Sequence, residues 1–278
     1  MNKTVSDIIR DAREGLAAAG VQNAACEARW LAERFLGCTA AEILSGAMQR
    51  GDSDIYEFND AVVRRKSGEP LQYILGSTDF MGMEIPVDSG VLIPRPETQL
   101  LVETAAALCG RINPVCYDLC SGSGCVALAL SKALDGGRIY AVEKYAPALR
   151  RLSLNTAHDP RITVYRADVL RNALTRLPIA DLIVANPPYI PSKDVGGLQR
   201  EVLREPVTAL DGGEDGLIFY GAIVRIAQRR LREGGAVAAE CGMGQAEAVA
   251  AIFGGGLRDV RVYNDFNGIG RVVSAFAK

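Results

Sequence analysis

The segment Asn186-Pro187-Pro188-Tyr189 carries the most definite chemistry in the sequence. Two consecutive prolines remove two backbone donors, and each pushes the residue before it out of the helical region. What remains is a fixed arc of carbonyl oxygens and one side-chain amide, a set of acceptors that suits a substrate NH2. Asn186 can take one hydrogen through its side-chain oxygen and Pro187 the other through its carbonyl, while the ring of Tyr189 lies flat against the planar group being modified. Acceptors on both N–H bonds draw density onto nitrogen and aim its lone pair at an electrophilic carbon, which is catalysis by positioning and preorganised electrostatics. Such a transfer needs no general base beforehand, which agrees with a chain that has a single histidine, His158. The plain alternative is a rigid turn with a core tyrosine.

A second segment runs Asp118-Leu-Cys120-Ser121-Gly122-Ser123-Gly124. Small residues allow a tight turn and a close approach of backbone to ligand, and a helix beginning there presents free N–H groups. Gly122-Ser-Gly-Cys-Val-Ala127 also satisfies the dinucleotide pattern G-x-G-x-x-A, and Glu143 follows at the spacing of about 20 residues expected of a ribose ligand. A carboxylate at that strand end can accept both ribose hydroxyls, and this fits NAD and S-adenosylmethionine alike. Asp118 separates the two: ahead of the glycines, it could face the cationic amino-acid end of S-adenosylmethionine, a group that dinucleotide fingerprints do not require. Asp168, after the next strand, either reads an adenine amine or sits in a solvated turn.

These groups need a sheet to hold them. From residue 115 onward, short β-branched and apolar runs (115–119, 138–142, 162–165, 181–185, 236–240, 260–263 and 271–276) alternate with helical stretches (126–133, 146–155, 217–231 and 245–252), preceded by a helix at 97–109. That alternation predicts an α/β fold with a doubly wound, mostly parallel sheet, whose ligands bind beyond the carboxyl ends of the strands. The N-terminal seventy-odd residues read instead as amphipathic helices: 5–19, ended by Gly20; 23–36, ended by Gly37; a third opened by the capping-box pair Thr39 and Glu42 and running to Ala47; and a fourth capped by Ser53 and running to Lys66. We therefore expect a helical domain over 1–75, a linking β-hairpin over 76–95 and a catalytic domain over 96–278, consistent with about 150 residues per domain in a chain of 278.

Composition excludes several function classes. Hydrophobic residues at 49% and charged residues at 23% are globular values, so a disordered or fibrous chain is ruled out. The net charge of −2 is not that of a protein held on DNA by its phosphates. No apolar run reaches the length of a membrane helix and the first residues lack an apolar leader pattern, so a cytoplasmic protein is expected. The seven cysteines, an odd number, predict free thiols rather than a disulfide framework. Cys109, Cys116, Cys120 and Cys125 contain no CxxC pair and the lone histidine stands in a turn, so no metal site is expected. The absence of an exposed heptad seam makes a monomer the default.

The sequence resembles the peptide chain release factor N(5)-glutamine methyltransferases, called PrmC or HemK, through most of its length. The resemblance rests on Pro70-Leu-Gln-Tyr-Ile-Leu-Gly76, Gly90-Val-Leu-Ile-Pro-Arg-Pro-Glu-Thr98, Asp118 to Cys125, Asn186 to Tyr189, Glu205-Pro206 with Ala209-Leu210, and Gly212-Gly-Glu-Asp-Gly-Leu217. The Asn-Pro-Pro-Tyr element is shared with adenine-N6 methyltransferases, whereas Ile-Pro-Arg-Pro-Glu-Thr is more particular. The resemblance implies a Rossmann-like class I methyltransferase domain with a seven-stranded sheet behind a small helical domain, using S-adenosylmethionine to methylate the glutamine of the Gly-Gly-Gln loop in class 1 release factors. Residues 120–124, Glu143, Asp168 with Val169, and Asn186 would then hold the cofactor. Asn186, Pro187, Pro188 and Tyr189 would hold the glutamine, and Arg95, Pro96, Glu97 and Thr98 would form a wall of the site. The helical domain would help to dock the release factor. Three positions depart from the family pattern: Glu143 where Asp is usual, Gln99 where a second acid is usual, and Val169 where some relatives carry an aromatic that stacks on adenine.

Three rivals remain at this stage. An adenine-N6 methyltransferase would have to flip a base and hold phosphates, for which this slightly acidic chain has no large extra domain. An NAD-dependent oxidoreductase leaves Asn-Pro-Pro-Tyr unexplained. A cofactor-binding module that docks a translation factor without catalysis would be indifferent to loss of Asn186.

Overall fold

A computed structural model describes residues 3–45, 49–50, 55–171 and 174–278. The chain forms two compact units, one of residues 1–77 with 199–204 and one of 78–198 with 205–278.

The first unit begins with β1 (Lys3–Thr4), paired antiparallel with β2 (Gln49–Arg50), and contains helices α1 (Val5–Ala18), α2 (Ala24–Leu36), α3 (Ala40–Ser45), α4 (Tyr56–Lys66) and α5 (Leu71–Leu75). Each helix starts and stops for a local reason. Thr4 caps α1 by accepting from the Asp7 N–H at 3.2 Å, an interaction worth about 1 kcal/mol. The expected capping box forms at α3: Thr39 N donates to Glu42 Oε2 at 2.8 Å and Glu42 N to Thr39 Oγ1 at 3.2 Å. Gly37 and Gly76 close α2 and α5 in the left-handed conformation. The expected end at Ala47 and cap at Ser53 lie outside the described residues. α5 was not anticipated as a helix, because its five residues are too few to show a period.

The core of this unit joins Val5, Ile8, Leu16, Leu31, Phe58 and their neighbours. Within it lies Arg65, 4% exposed, which grips Glu27 through Nη2–Oε1 at 3.1 Å and a second, shorter contact from Nε. Its Nη2 also reaches Glu201 Oε1 at 2.6 Å. Arg200 Nη2 donates to Ser67 O at 2.6 Å, and Gly68, at φ +88°, leaves no room for a side chain beside the Arg200 guanidinium. These bonds are why residues 199–204 belong with the helices although they lie far along the chain.

The second unit is built on a seven-stranded sheet. After the hairpin of β3 (Ser77–Phe80) and β4 (Met83–Pro86) come α6 (Thr98–Leu108), β5 (Val115–Leu119), α7 (Cys125–Ala133), β6 (Arg138–Glu143), α8 (Ala146–Thr156), β7 (Ile162–Arg166), β8 (Ala180–Ala185), α9 (Ile218–Arg230), β9 (Leu231–Glu240), α10 (Ala246–Gly254), β10 (Arg258–Asn264) and β11 (Gly270–Phe276). The hairpin turns at Met81 and Gly82, both at positive φ, the geometry of a two-residue type I′ turn. Strand order is β10-β11-β9-β8-β5-β6-β7, with β5 to β9 parallel and β11 reversed against β9. β8 is buried at every position, as a central parallel strand must be. The order reverses between β5 and β8, because the chain leaves β5 for β6 and β7 on one side and returns to β8 on the other. The crevice beyond the carboxyl ends of those two strands is where such sheets bind ligands.

Candidate functional site

β5 ends at Leu119 and β8 at Ala185, so Cys120 and Asn186 stand together at the reversal point. The turn after β5 has an unusual backbone: Cys120, Gly122 and Gly124 all take positive φ, at 61°, 53° and 84°. Gly124 must lack a side chain, since a Cβ there would lie 2.7 Å from Leu152 Cδ1 of α8. Gly122 has open space where its Cβ would be. A turn so coiled points successive N–H groups the same way, and α7 starts from it with its own free N–H groups.

Around this turn two adjoining cavities share Leu92, Cys120, Gly122 and Asn186. The larger, with roughly 710 Å³ of space partly open to solvent, is lined by Glu143, Asp168, Val169 and Phe219 among others. The smaller, about 380 Å³, is lined by Arg95, Thr98, Asp118, Ser121 and Ser123. Most of the residues singled out from the sequence are thus brought to one place. Gly124, Pro187, Tyr189, Pro96 and Glu97 line neither cavity. Gly124 serves helix packing, and the Tyr189 ring lies against the core beside Gly242.

The charged groups differ in how they are held. Glu143, 7% exposed, accepts from three backbone N–H groups: Gly122 at 3.1 Å on Oε2, Lys144 at 2.7 Å and Tyr145 at 2.9 Å on Oε1. Oε2 keeps a lone pair for a ligand, while Oε1 is already engaged twice. Asp168 accepts from Leu170 N at 3.0 Å and pairs with Lys144 Nζ at 3.1 Å and Arg171 Nε at 3.5 Å; both cations are solvent-exposed, so these pairs are weak. Asp118 is 1% exposed and its Oδ2 has no hydrogen-bond partner among the described residues. Burial pushes its carboxyl up to about 7, hydrogen bonds from Ser121 and the Ala127 backbone oppose this, and the Glu143 charge adds to it.

The Asn186–Tyr189 segment is braced from behind. Asn186 Nδ2 donates to the buried Thr98 Oγ1 at 3.1 Å. Tyr189 O accepts from Gln245 Nε2 at 2.8 Å, and Ile190 exchanges backbone bonds with Leu210 at 2.9 Å and Gly212 at 2.8 Å. Gly216, at φ +77°, allows the approach: a Cβ there would stand 2.3 Å from Tyr189 O. The motif Gly212–Leu217 is therefore the clamp on the Asn-Pro-Pro-Tyr loop. Burial pushes the Tyr189 phenol up to about 12, so the ring stays neutral. On the wall, Glu205, 4% exposed, accepts from Ile93 N at 2.9 Å and forms a short ion pair with Arg95. This joins two of the sequence motifs that are 110 residues apart.

Sequence reasoning missed Glu240. It ends β9 beside Asn186, is 2% exposed, and its Oε2 is unpartnered among the described residues. The only available signal was its place as a charged residue at the carboxyl end of an apolar strand.

Residues 7–76 match the PrmC N-terminal domain and residues 96–220 the methyltransferase small domain. The chain is 38% identical to the release factor glutamine methyltransferase of Geobacter sulfurreducens, over 97% of this chain and 95% of that one. The chain belongs to the release factor glutamine methyltransferase family. The family's enzyme from Corynebacterium glutamicum is 34% identical, covering 98% of both chains. Among solved structures, the hMettl16 catalytic domain aligns with a TM-score of 0.56 at 17% identity, covering 82% of this chain and 81% of that one. The T. Thermophilus 16S rRNA methyltransferase RsmC, solved with AdoMet and guanosine, aligns at 0.51 and 20% identity, covering 73% and 50%. Both likenesses show the class I methyltransferase fold expected from the sequence.

Proposed function

We propose that this enzyme transfers a methyl group from S-adenosylmethionine to the side-chain amide nitrogen of the glutamine in the Gly-Gly-Gln loop of class 1 release factors. The observation that carries the reading is the acceptor arc at Asn186. Its Nδ2 is tied inward to Thr98, so its Oδ1 is left to face a substrate NH2 above a cavity bordered by carboxylates.

The site suits the cofactor by its own chemistry. The orphaned, buried Asp118 Oδ2 has an unmet need for a cationic partner, which the amino-acid end of S-adenosylmethionine supplies, and Glu143 Oε2 has a lone pair for a ribose hydroxyl. Residues 120–124 take the backbone side, Asp168 the adenine amine, and Val169 and Phe219 the apolar faces. When bound, the cofactor supplies an electrophilic methyl carbon on sulfur. Asn186 Oδ1 and the Pro187 carbonyl hold the two N–H hydrogens of the glutamine amide, while Tyr189, packed against the core, fixes the loop behind them. The transfer would balance with the carbon–sulfur bond breaking to leave S-adenosylhomocysteine as the N–C bond forms and one N–H proton passing to solvent, with no side chain needed to remove it first. Arg95, held by Glu205, and Glu97 belong to the substrate wall, and the helical unit 1–75 docks the release factor. No helix among the described residues is long and apolar enough to cross a membrane, and a cytoplasmic monomer acting on a protein rather than on nucleic acid is the reading that fits the −2 net charge.

The test is to incubate the protein with S-adenosylmethionine and a full-length class 1 release factor, digest the factor, and fragment the Gly-Gly-Gln peptide in a mass spectrometer. One methyl on the glutamine side chain is expected. An unmodified peptide with methyl on adenine in a nucleic-acid control would move the assignment to an adenine-N6 methyltransferase.

Asp118 makes this reading pH-sensitive. Without ligand its carboxyl titrates near 7, whereas a cation beside it needs the ionised form. Below 7 the group must therefore shed a proton for the cofactor to bind, so affinity should fall as pH drops, by up to about tenfold per unit. Calorimetry at pH 6 in buffers of different ionisation enthalpy should show close to one proton released. Asp118→Asn should bind more weakly at pH 8 and lose the pH dependence; an unchanged dependence would place the titrating group elsewhere.

A further inference from the structure

A buried polar chain lies behind Asn186. The Asn186 NH2 donates to Thr98 Oγ1 at 3.1 Å, and the buried Glu240 carboxylate, whose Oε2 has no hydrogen-bond partner among the described residues, stands beside them. The register puts these groups together: Ala185 pairs with Ala239, so Asn186 and Glu240 follow on adjacent strands, and Thr98 begins α6 beside them. Thr98 and Glu240 are 1% and 2% exposed.

A hydroxyl has one proton. Thr98 Oγ1 uses a lone pair on the Asn186 NH2, which leaves its proton for the unpartnered, buried Glu240 oxygen beside it. A flipped Asn186 would press its oxygen against a hydroxyl whose proton is committed and against a carboxylate. Only one orientation of the amide is satisfied, and it turns Oδ1 toward the cavity. We propose that Glu240 is a positioning residue which, through Thr98, holds the Asn186 amide with its oxygen facing the substrate NH2. This rests on the acceptor role given to Asn186 above.

The groups around Glu240 set the sign of its pH response. Burial raises its carboxyl to about 7 and Glu97 on the α6 side adds to this, while Thr98, Asn186 and Arg271 on β11 oppose it. Above that value Glu240 is an acceptor and the relay stands. Below it the protonated carboxyl donates to Thr98, whose own proton then turns toward Asn186 and favours the flipped amide. Turnover at saturating cofactor, where the Asp118 effect on affinity is suppressed, therefore falls as pH drops through about 7.

The experiment measures kcat and both KM values on a full-length class 1 release factor from pH 5.5 to 9 for wild type, Thr98→Val, Thr98→Ser, Glu240→Gln and the Thr98→Val/Glu240→Gln double variant, with thermal unfolding to check folding. Thr98→Val should lose about 10- to 100-fold in kcat with KM values within about threefold, and Thr98→Ser should restore most of it. Glu240→Gln should flatten the acid limb, and the double variant should be little worse than Thr98→Val, because both cut one relay. Wild-type kcat in Thr98→Val, an acid limb retained in Glu240→Gln, or losses that multiply in the double variant would overturn the relay alone. If Glu240→Gln does not fold, the Val and Ser variants decide the matter by themselves. Failure of the wild type to methylate the glutamine would overturn the parent reading and the relay with it.

Discussion

Asn186→Ala should reduce kcat by about 10²- to 10³-fold while changing cofactor affinity only a few-fold. Removing one preorganised acceptor from a site where charge reorganises in the transition state costs about 3 to 4 kcal/mol. In the ground state the same oxygen makes a single neutral hydrogen bond, worth about 1 kcal/mol, so little of the loss should appear in KM. Thr98 Oγ1 also loses the donor it holds at 3.1 Å, a local cost that a thermal melt would read separately. Asn186→Asp should not rescue: it deletes the NH2 that binds Thr98 and sets a second carboxylate beside the unpaired Glu240. The measurement is single-turnover methylation alongside calorimetric titration of the cofactor. Equal losses in rate and affinity would remove Asn186 from the glutamine and leave it only with the cofactor, and no loss of either would support a binding module without catalysis.

Glu143→Ala should weaken cofactor binding by roughly 100-fold, with a smaller loss of turnover once cofactor saturates. A charged acceptor on a ribose hydroxyl contributes about 1.5 to 3 kcal/mol. The structure adds a second contribution, since the same carboxylate ties together the N–H groups of Gly122, Lys144 and Tyr145. Without it the turn after β5 and the start of α8 lose their common anchor, and the nest that faces the ligand loosens. Glu143→Gln separates the two effects: it keeps one acceptor oxygen, so it should fall between wild type and alanine. Calorimetry that finds unchanged affinity in Glu143→Ala would exclude this residue from the ribose. Glu143 spans the gap from β6 to the Gly122 N–H at 3.1 Å.

What the sequence determined by itself was whatever depends on a few neighbouring residues. The capping box at Thr39 and Glu42, the run 115–119 that became β5 and the buried run that became β8 were all legible. In each case local backbone restriction or local periodicity outweighs tertiary context. The family resemblance, carried by such short motifs, was legible for the same reason.

Tertiary structure alone decided who partners whom across the fold. Strand order placed Glu240 beside Asn186, although nothing in the continuously buried run of β9 distinguishes that neighbour from any other. Burial left Asp118 with an unmet carboxylate oxygen, a property of everything packed around it rather than of its own segment. The 3.1 Å bond from Asn186 to Thr98 spans 88 positions, and the one from Arg65 to Glu201 spans 136. Hydrogen bonds and desolvation act over a few ångströms of space and are blind to chain separation. Local patterns therefore located the candidate groups, and only the folded chain decided which of them are tied down and which are left unpaired.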